Sequence, residues 1–443
     1  MAGGVLRPGP LKTLTGPDGG TVPFYVIPFD KNGVCTGPRS LDRLVDAAQN
    51  ATDVFLFSHG WNNDWAAAMR RYDRFIARYV DARETFWHQP GRDYRPILVG
   101  VFWPSAVLVA PSEQGPDIAA AADEAFGTPQ ELSELDAVAE GLDPVAAGRL
   151  YELAEQDELT RSEAEELAKL LAPALAGEDD DLGGETHAPS PDELLQAWSR
   201  LPVGTDEPVG EPGGFIDEGA TAGAETAALF DRFDPRLIVR TATVLLMKDR
   251  AGRVGGRGVA SMLRRLVADS SDSRVHLVGH CYGGKVVLSA LCNGPAPTRA
   301  VESVLLLQPA MSCLCFATDV GNGRPGGYRS ALERSRQPIV STFSSHDVPL
   351  TRLFHWAVRR SSDLGEAVIA GAPPSRYAAL GGYGPQGAAA DVVTVPAQQA
   401  PQRYNLATGG KRIVAVESDN VISGHGDVTN PATAWALLCQ VME

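Results

Sequence analysis

The sequence predicts an α/β protein built on a mostly parallel sheet with helices on both faces. Three observations carry this expectation: short apolar runs near both ends of the chain, helical patterns between them, and one long acidic tract that interrupts the alternation. With 443 residues, 44% hydrophobic and 21% charged, the chain can bury one large core or two modest ones.

The elements follow in order. Residues 21–29 (TVPFYVIPF), 53–60 (DVFLFSHG) and 96–105 (PILVGVFWPS) read as strands, and 65–80 (WAAAMRRYDRFIARYV) as an amphipathic helix between the second and third. Strands resume at 273–281 (SRVHLVGHC), 301–310 (VESVLLLQPA), 338–347 (PIVSTFSSHD) and 411–419 (KRIVAVESD). Helices are expected at 284–292, around 350–359 and at 432–442. Residues 371–410, rich in Gly, Ala, Pro and Gln, read as a loop between the last two strands, placed to overhang a site at the sheet's edge.

Residues 112–229 hold 29 Asp and Glu against 4 Lys and Arg, a charge of about −25, while the rest of the chain comes to about +9. Residues 144–175 are helix-forming, with Leu150, Leu153, Leu167, Leu170 and Leu171 as an apolar stripe. The stretches EDDDLGGETHAPS and VGTDEPVGEPGG read as loop or disorder. The expected organisation is a core in two parts, 1–111 and 236–443, with a large, mainly helical acidic cap or lid inserted at 112–235.

A net charge of −16 removes the basic surplus that nucleic-acid binding requires. No secretory apolar region and no run of roughly 18 to 20 apolar residues is present, so no membrane span and a cytoplasmic location are expected. The six cysteines, Cys35, Cys281, Cys292, Cys313, Cys315 and Cys439, are too sparse for a disulfide scaffold and lack zinc-ligand spacing. Reduced thiols, no metal and no cofactor are expected.

Gly279-His280-Cys281-Tyr282-Gly283-Gly284 follows a strand and opens a helix. That is the context of a nucleophile elbow, where the turn is so tight that residues two before and two after the nucleophile must be small. Gly279 and Gly283 satisfy both positions. The pattern resembles the α/β-hydrolase superfamily over perhaps two thirds of the chain, and Gly279, Cys281, Gly283 and Gly284 resemble the G-x-C-x-G-G of dienelactone hydrolases and polyhydroxyalkanoate synthases. Serine is the commoner nucleophile in that superfamily, so Cys281 is either native or a replacement of serine. His59-Gly60-Trp61 resembles the superfamily's HG motif, which implies an oxyanion hole made by the backbone N–H groups of Trp61 and Tyr282.

The resemblance also implies the chain order nucleophile, acid, histidine. Of the histidines after the elbow, His425 lies in a Gly-flanked loop after the last strand. His346 ends a strand, and His355 lies in a helical pattern. Asp347 is the expected acid, with Asp427 as its competitor. His280 and Lys285 read as structural, Lys285 on a solvated helix face. Asn62 and Asn63 read as capping or approaching the following helix, and the glycines of 251–258 precede a helix but follow no strand, so no nucleotide site is expected there.

The function implied is hydrolysis of a small-molecule ester or thioester through a Cys281-His425-Asp347 triad and a covalent acyl-enzyme. Two alternatives stand beside it. One is an acyltransferase using the same triad; the other is a non-catalytic scaffold that docks a basic protein partner through the acidic cap.

Overall fold

In the computed structural model the described residues are 7–15, 21–61, 63–87, 93–105, 135–175, 189–198, 232–270, 272–321, 323–353 and 378–443. Eleven strands and nine principal helices are found among them. They are β1 (Lys12–Thr15), β2 (Thr21–Pro28), α1 (Pro38–Ala48), β3 (Asp53–Ser58), α2 (Trp65–Phe86) and β4 (Pro96–Phe102). Then come α3 (Pro144–Ala154), β5 (Leu159–Thr160), α4 (Arg161–Ala174), α5 (Pro191–Trp198), β6 (Arg232–Phe233), α6 (Pro235–Arg253) and α7 (Ala260–Asp269). The chain closes with β7 (Arg274–His280), α8 (Tyr282–Cys292), β8 (Ser303–Leu307), β9 (Ile339–Phe343), β10 (Val392–Pro396), β11 (Ile413–Glu417) and α9 (Pro431–Met442).

Nine strands form one sheet in the order β1-β2-β4-β3-β7-β8-β9-β11-β10, parallel throughout except for β1, which pairs antiparallel with β2. The α/β class is therefore as the sequence predicts. Strand residues alternate between two apolar layers because successive side chains leave a strand on opposite faces. Val54 and Leu56 join the layer shared with α1, α7 and α8, whereas Phe55 and Phe57 join the one shared with α2 and α9. All six residues of β3 are buried, as expected of a central strand covered on both sides.

The helices start where the sequence supplies caps. The Asp64 side chain accepts from the Ala67 N–H at the head of α2, and α2 buries the stripe Ala68, Tyr72, Phe75, Ile76 and Tyr79. Asp64 rather than Asn63 is thus the cap; Asn63, one residue before it, approaches the helix and donates to the carbonyls of Gly60 and Trp61, at 3.0 and 2.8 Å. Asn62 lies outside the described residues.

One reading is corrected and another refined. The tract at 371–410 is not all loop: β10 forms there and pairs with β11 in parallel, its side chains only partly buried, which is why its apolar signal is weak. The glycines of 251–258 precede α7 as read, within a continuous helical run: Gly252 lies at the end of α6 and the others lie in a π-helical stretch (Val254–Val259) joining α6 to α7. They are small because backbone crosses there: a Cβ on Gly255 would meet the Val286 carbonyl at 2.4 Å, and one on Gly258 the Gly33 carbonyl at 2.1 Å. Of the helix expected around 350–359, a π-helical turn (Pro349–Leu353) is described, and the remainder, with His355, lies outside the described residues.

Within the acidic tract, α3 and α4 enclose Leu150, Leu153, Leu167 and Leu171 in a third apolar cluster with α5 and with Ile238, Val239 and Ala242 of α6. Leu170 packs at its edge. The Thr160–Glu163 capping box sets the start of α4. The stretches read as loop or disorder fall mostly outside the described residues. No helix among the described residues is long and apolar enough to cross a membrane.

Candidate active site

β3 continues toward β4 on one side of the sheet, while β7 continues toward β8 on the other. The order therefore reverses between β3 and β7. In a parallel sheet such a reversal opens a crevice beyond the strands' C-terminal ends, where the loops on either side diverge. His59-Gly60-Trp61 leaves β3 at this point, and Cys281 leaves β7.

Cys281 joins β7 to α8 with φ 55° and ψ −124°, a left-handed conformation costly for a residue with a Cβ. Its amide donates to the Leu307 carbonyl (3.1 Å), and its own carbonyl accepts from Gly284 and Ala310. The surrounding glycines are obligatory on steric grounds. A Cβ on Gly279 would come within 2.6 Å of the Gly283 carbonyl, one on Gly283 within 2.1 Å of the Ser58 carbonyl, and one on Gly60 within 2.6 Å of Cys281 Cβ. Gly60 thus lies against the base of the Cys281 side chain, with Trp61 next in the chain.

His425 Nδ1–H donates to Asp347 Oδ2 at 2.8 Å, and the Cys281 side chain lies beside the His425 ring, close enough to act on its charge. The structure therefore brings Cys281, His425 and Asp347 into one chain of contacts. Burial acts to lower the His425 pKa, but the Asp347 carboxylate and the Cys281 sulfur together outweigh it and hold the imidazole well above its usual value. Asp347 is fully buried. Its Oδ1 accepts from the Leu350 N–H, and its Oδ2 also accepts from Gln308 Nε2, both at 3.1 Å. Asp427, the competing acid, instead takes the Ser423 N–H and hydroxyl on its Oδ2. His346, after β9, makes a backbone bond to Ser344 Oγ.

The two loops carrying Asp347 and His425 are fastened together. Ser344 Oγ donates to the Ile422 carbonyl, and Ser345 donates through its N–H and hydroxyl to Asp419. His280, buried beside Cys281, donates from Nε2 to the His425 carbonyl at 3.0 Å, and burial holds its pKa well below the usual histidine value. The expectation of a structural His280 is thus refined to a fastening of the histidine loop.

Lys285 departs from expectation. It is fully buried rather than solvated, and its Nζ donates to Tyr328 Oη at 3.1 Å, beside a Ser289 hydroxyl bonded to the same oxygen. The reason is that α8 is covered on all sides by β7, α6 and the turn bearing Tyr328, so its polar position finds no solvent.

On the opposite wall, Trp103 N–H donates to His59 Nε2 and Trp103 Nε1 to the His59 carbonyl. Tyr72 Oη accepts the His59 N–H while donating to the Val101 carbonyl. Burial lowers the His59 pKa to about 4, so its ring is neutral and props the loop at Gly60.

The sequence reading missed two residues. Gln308 was hidden because only its φ of 44° and its bond to Asp347 distinguish it, and neither has a motif. Arg71 carries no motif within the helical pattern of α2, yet its Nη2 lies 3.9 Å from where a Cβ on Gly426 would sit, beside His425.

Elsewhere, a cleft of about 680 Å³ lies at the opposite, N-terminal edge of the sheet. Its arginines are committed: Arg274 pairs with Asp53, Arg299 caps the Ser270 and Ser273 carbonyls, Arg329 pairs with Asp391, and Arg412 holds the Leu332 and Ser335 carbonyls. Nearby Ser303, His276 and Asp53 form a hydrogen-bonded series buried in the core beneath Arg274. No group of three or more metal-ligating side chains occurs among the described residues, and none of the six cysteines is in a disulfide.

The chain matches no protein-family model, and no curated protein or solved structure is significantly similar to it. The class defined by fold and geometry is therefore an α/β protein with a cysteine–histidine–aspartate cluster at a topological switch point.

Proposed function

We propose that the protein is an acyl hydrolase of the α/β-hydrolase type that acts on an ester or thioester through Cys281. One observation carries this reading: a cysteine in a strained strand-to-helix turn contacts an imidazole whose other nitrogen donates to a buried carboxylate. Backbone strain at such a turn is maintained only where the surroundings over-determine it, and that is typical of reactive positions.

In this mechanism His425 takes the thiol proton and Cys281 Sγ bonds to the acyl carbon. The carbonyl electron pair moves onto oxygen, which the Trp61 and Tyr282 N–H groups stabilise. On collapse the bond to the leaving oxygen or sulfur breaks, and that atom receives the proton from His425. Water then loses a proton to His425 as it adds to the thioester, and Cys281 leaves as the thiol with that proton. Asp347 orients the ring and stabilises its protonated form throughout. The helices of 112–235 serve as a cap. In support, they pack on the first half of α6, and the Val244 carbonyl of that helix takes the Tyr282 hydroxyl at 3.1 Å. A nucleophilic thiol works best in a reducing compartment, in keeping with a cytoplasmic location.

Intact-mass measurement after incubation with panels of acyl esters and acyl thioesters tests the reading. An acyl adduct is expected on Cys281, absent in Cys281→Ala and persistent in His425→Ala if any forms. No adduct with any acyl donor would sink the proposal, and discharge to amines or thiols faster than to water would make the enzyme an acyltransferase. Mild iodoacetamide treatment is a companion test. Cys281 is expected to react before Cys313 and Cys439, whose thiols burial pushes up to about 12 and about 11.

A further inference from the structure

We propose that Arg71 is a specificity-determining residue that receives a carboxylate carried by the substrate's acyl chain; this rests on the acyl-transfer reading above. Arg71 lies on the N-terminal half of α2, at the edge of its buried stripe and adjacent to Tyr72, which holds up the His59-Gly60 loop. Its guanidinium reaches the far wall of the site beside Gly426, next to the candidate base. It is partly buried, and it makes no hydrogen bond or ion pair with any described residue.

Removing a guanidinium from water without an anion is costly, so an unpaired one at a reactive centre implies a charge that arrives from outside. The acids nearby are engaged. Asp347 is held by His425, Gln308 and Leu350, Asp427 by Ser423, and Asp64 caps α2. The other titratable groups around the cysteine offer no partner: His59 and His280 are held neutral by burial, and His425 tends to carry positive charge. Burial lowers the Arg71 pKa and the Cys281 sulfur opposes that shift, which places the two groups within electrostatic reach of each other. A single planar guanidinium matches one carboxylate through two parallel hydrogen bonds, whereas a dianionic phosphate would call for more donors than this wall supplies.

The test compares mono-p-nitrophenyl glutarate with p-nitrophenyl pentanoate, which have acyl chains of equal length with and without a terminal carboxylate. The full-length protein is expected to favour the glutarate ester in kcat/KM. Arg71→Met should reduce the glutarate-to-pentanoate ratio by about 30-fold, the equivalent of one desolvated ion pair, with Arg71→Lys in between. Circular dichroism and melting temperature verify folding of each variant. A wild-type protein without preference overturns the inference while leaving the hydrolase reading in place, as does a variant that loses both activities with the ratio unmoved. The latter result would make Arg71 a group acting on the Cys281 thiol. Failure of both esters and all other acyl donors to acylate Cys281 overturns the two together.

Discussion

Buried histidines make this protein's stability sensitive to acid, and His59 is the clearest case. Its folded pKa of about 4 lies below the unfolded value of 6.5, so between these two limits the unfolded chain binds a proton that the native state does not. Stability is therefore complete above 6.5 and falls as pH drops toward 4, by about 3 kcal/mol from this residue. His276 and His280, also depressed by burial, act in the same direction. His425 acts in the opposite sense: with its pKa raised, its contribution is full below 6.5 and fades as pH rises through the folded value. Urea denaturation at pH 7 and pH 4.5 is expected to show a shallower loss for His59→Gln than for the unaltered protein. Equal losses would mean that His59 is not neutral in the fold.

At the scale of elements, the turn from β7 to α8 is built around glycines whose missing Cβ atoms are needed, and α3 contains one whose absence serves nothing. A Cβ on Gly283 meets backbone oxygen at 2.1 Å with no side chain free to yield, so Gly283→Ala is expected to cost about 3 kcal/mol or prevent folding. Gly148 has nothing within 4 Å of its Cβ position and sits inside α3, so Gly148→Ala is expected to stabilise by about 0.5–1 kcal/mol. Thermal melting of the two variants checks both, and a neutral Gly283→Ala would show that the elbow can relax.

Across the whole molecule, three apolar clusters divide the work. Two lie on either face of the sheet; the third, under α3, α4 and α5, connects to the first through Leu245 and Leu246 of α6. Leu171 is fully buried in the third cluster, and Leu171→Ala is expected to cost about 2–5 kcal/mol locally. Hydrogen exchange should then accelerate in α3, α4 and α5 while β3, β7 and β8 remain protected. Equal acceleration in the sheet would mean that the acidic region is one cooperative unit with the core.

Short-range pattern alone carries the elements whose neighbours in the chain suffice to specify them. The apolar runs of β2, β3, β4, β7, β8, β9 and β11 are legible because a strand covered on both faces must be apolar at nearly every position, and the elbow is legible because its glycines are spaced by local sterics. The weaker elements were lost for matching reasons: β10 is only half-buried, α1 was masked by its polar residues, and Asn63 looks like a cap until Asp64 is seen to take that part. The remaining features come from packing between distant segments. Asp347 rather than Asp427 faces His425, Gln308 steadies that carboxylate, Lys285 is sealed under Tyr328, and Arg71 stands beside Gly426. Each of these depends on side chains far apart in the chain, and their meeting is set by the sheet's strand order and the packing of helices over it, which no local pattern records.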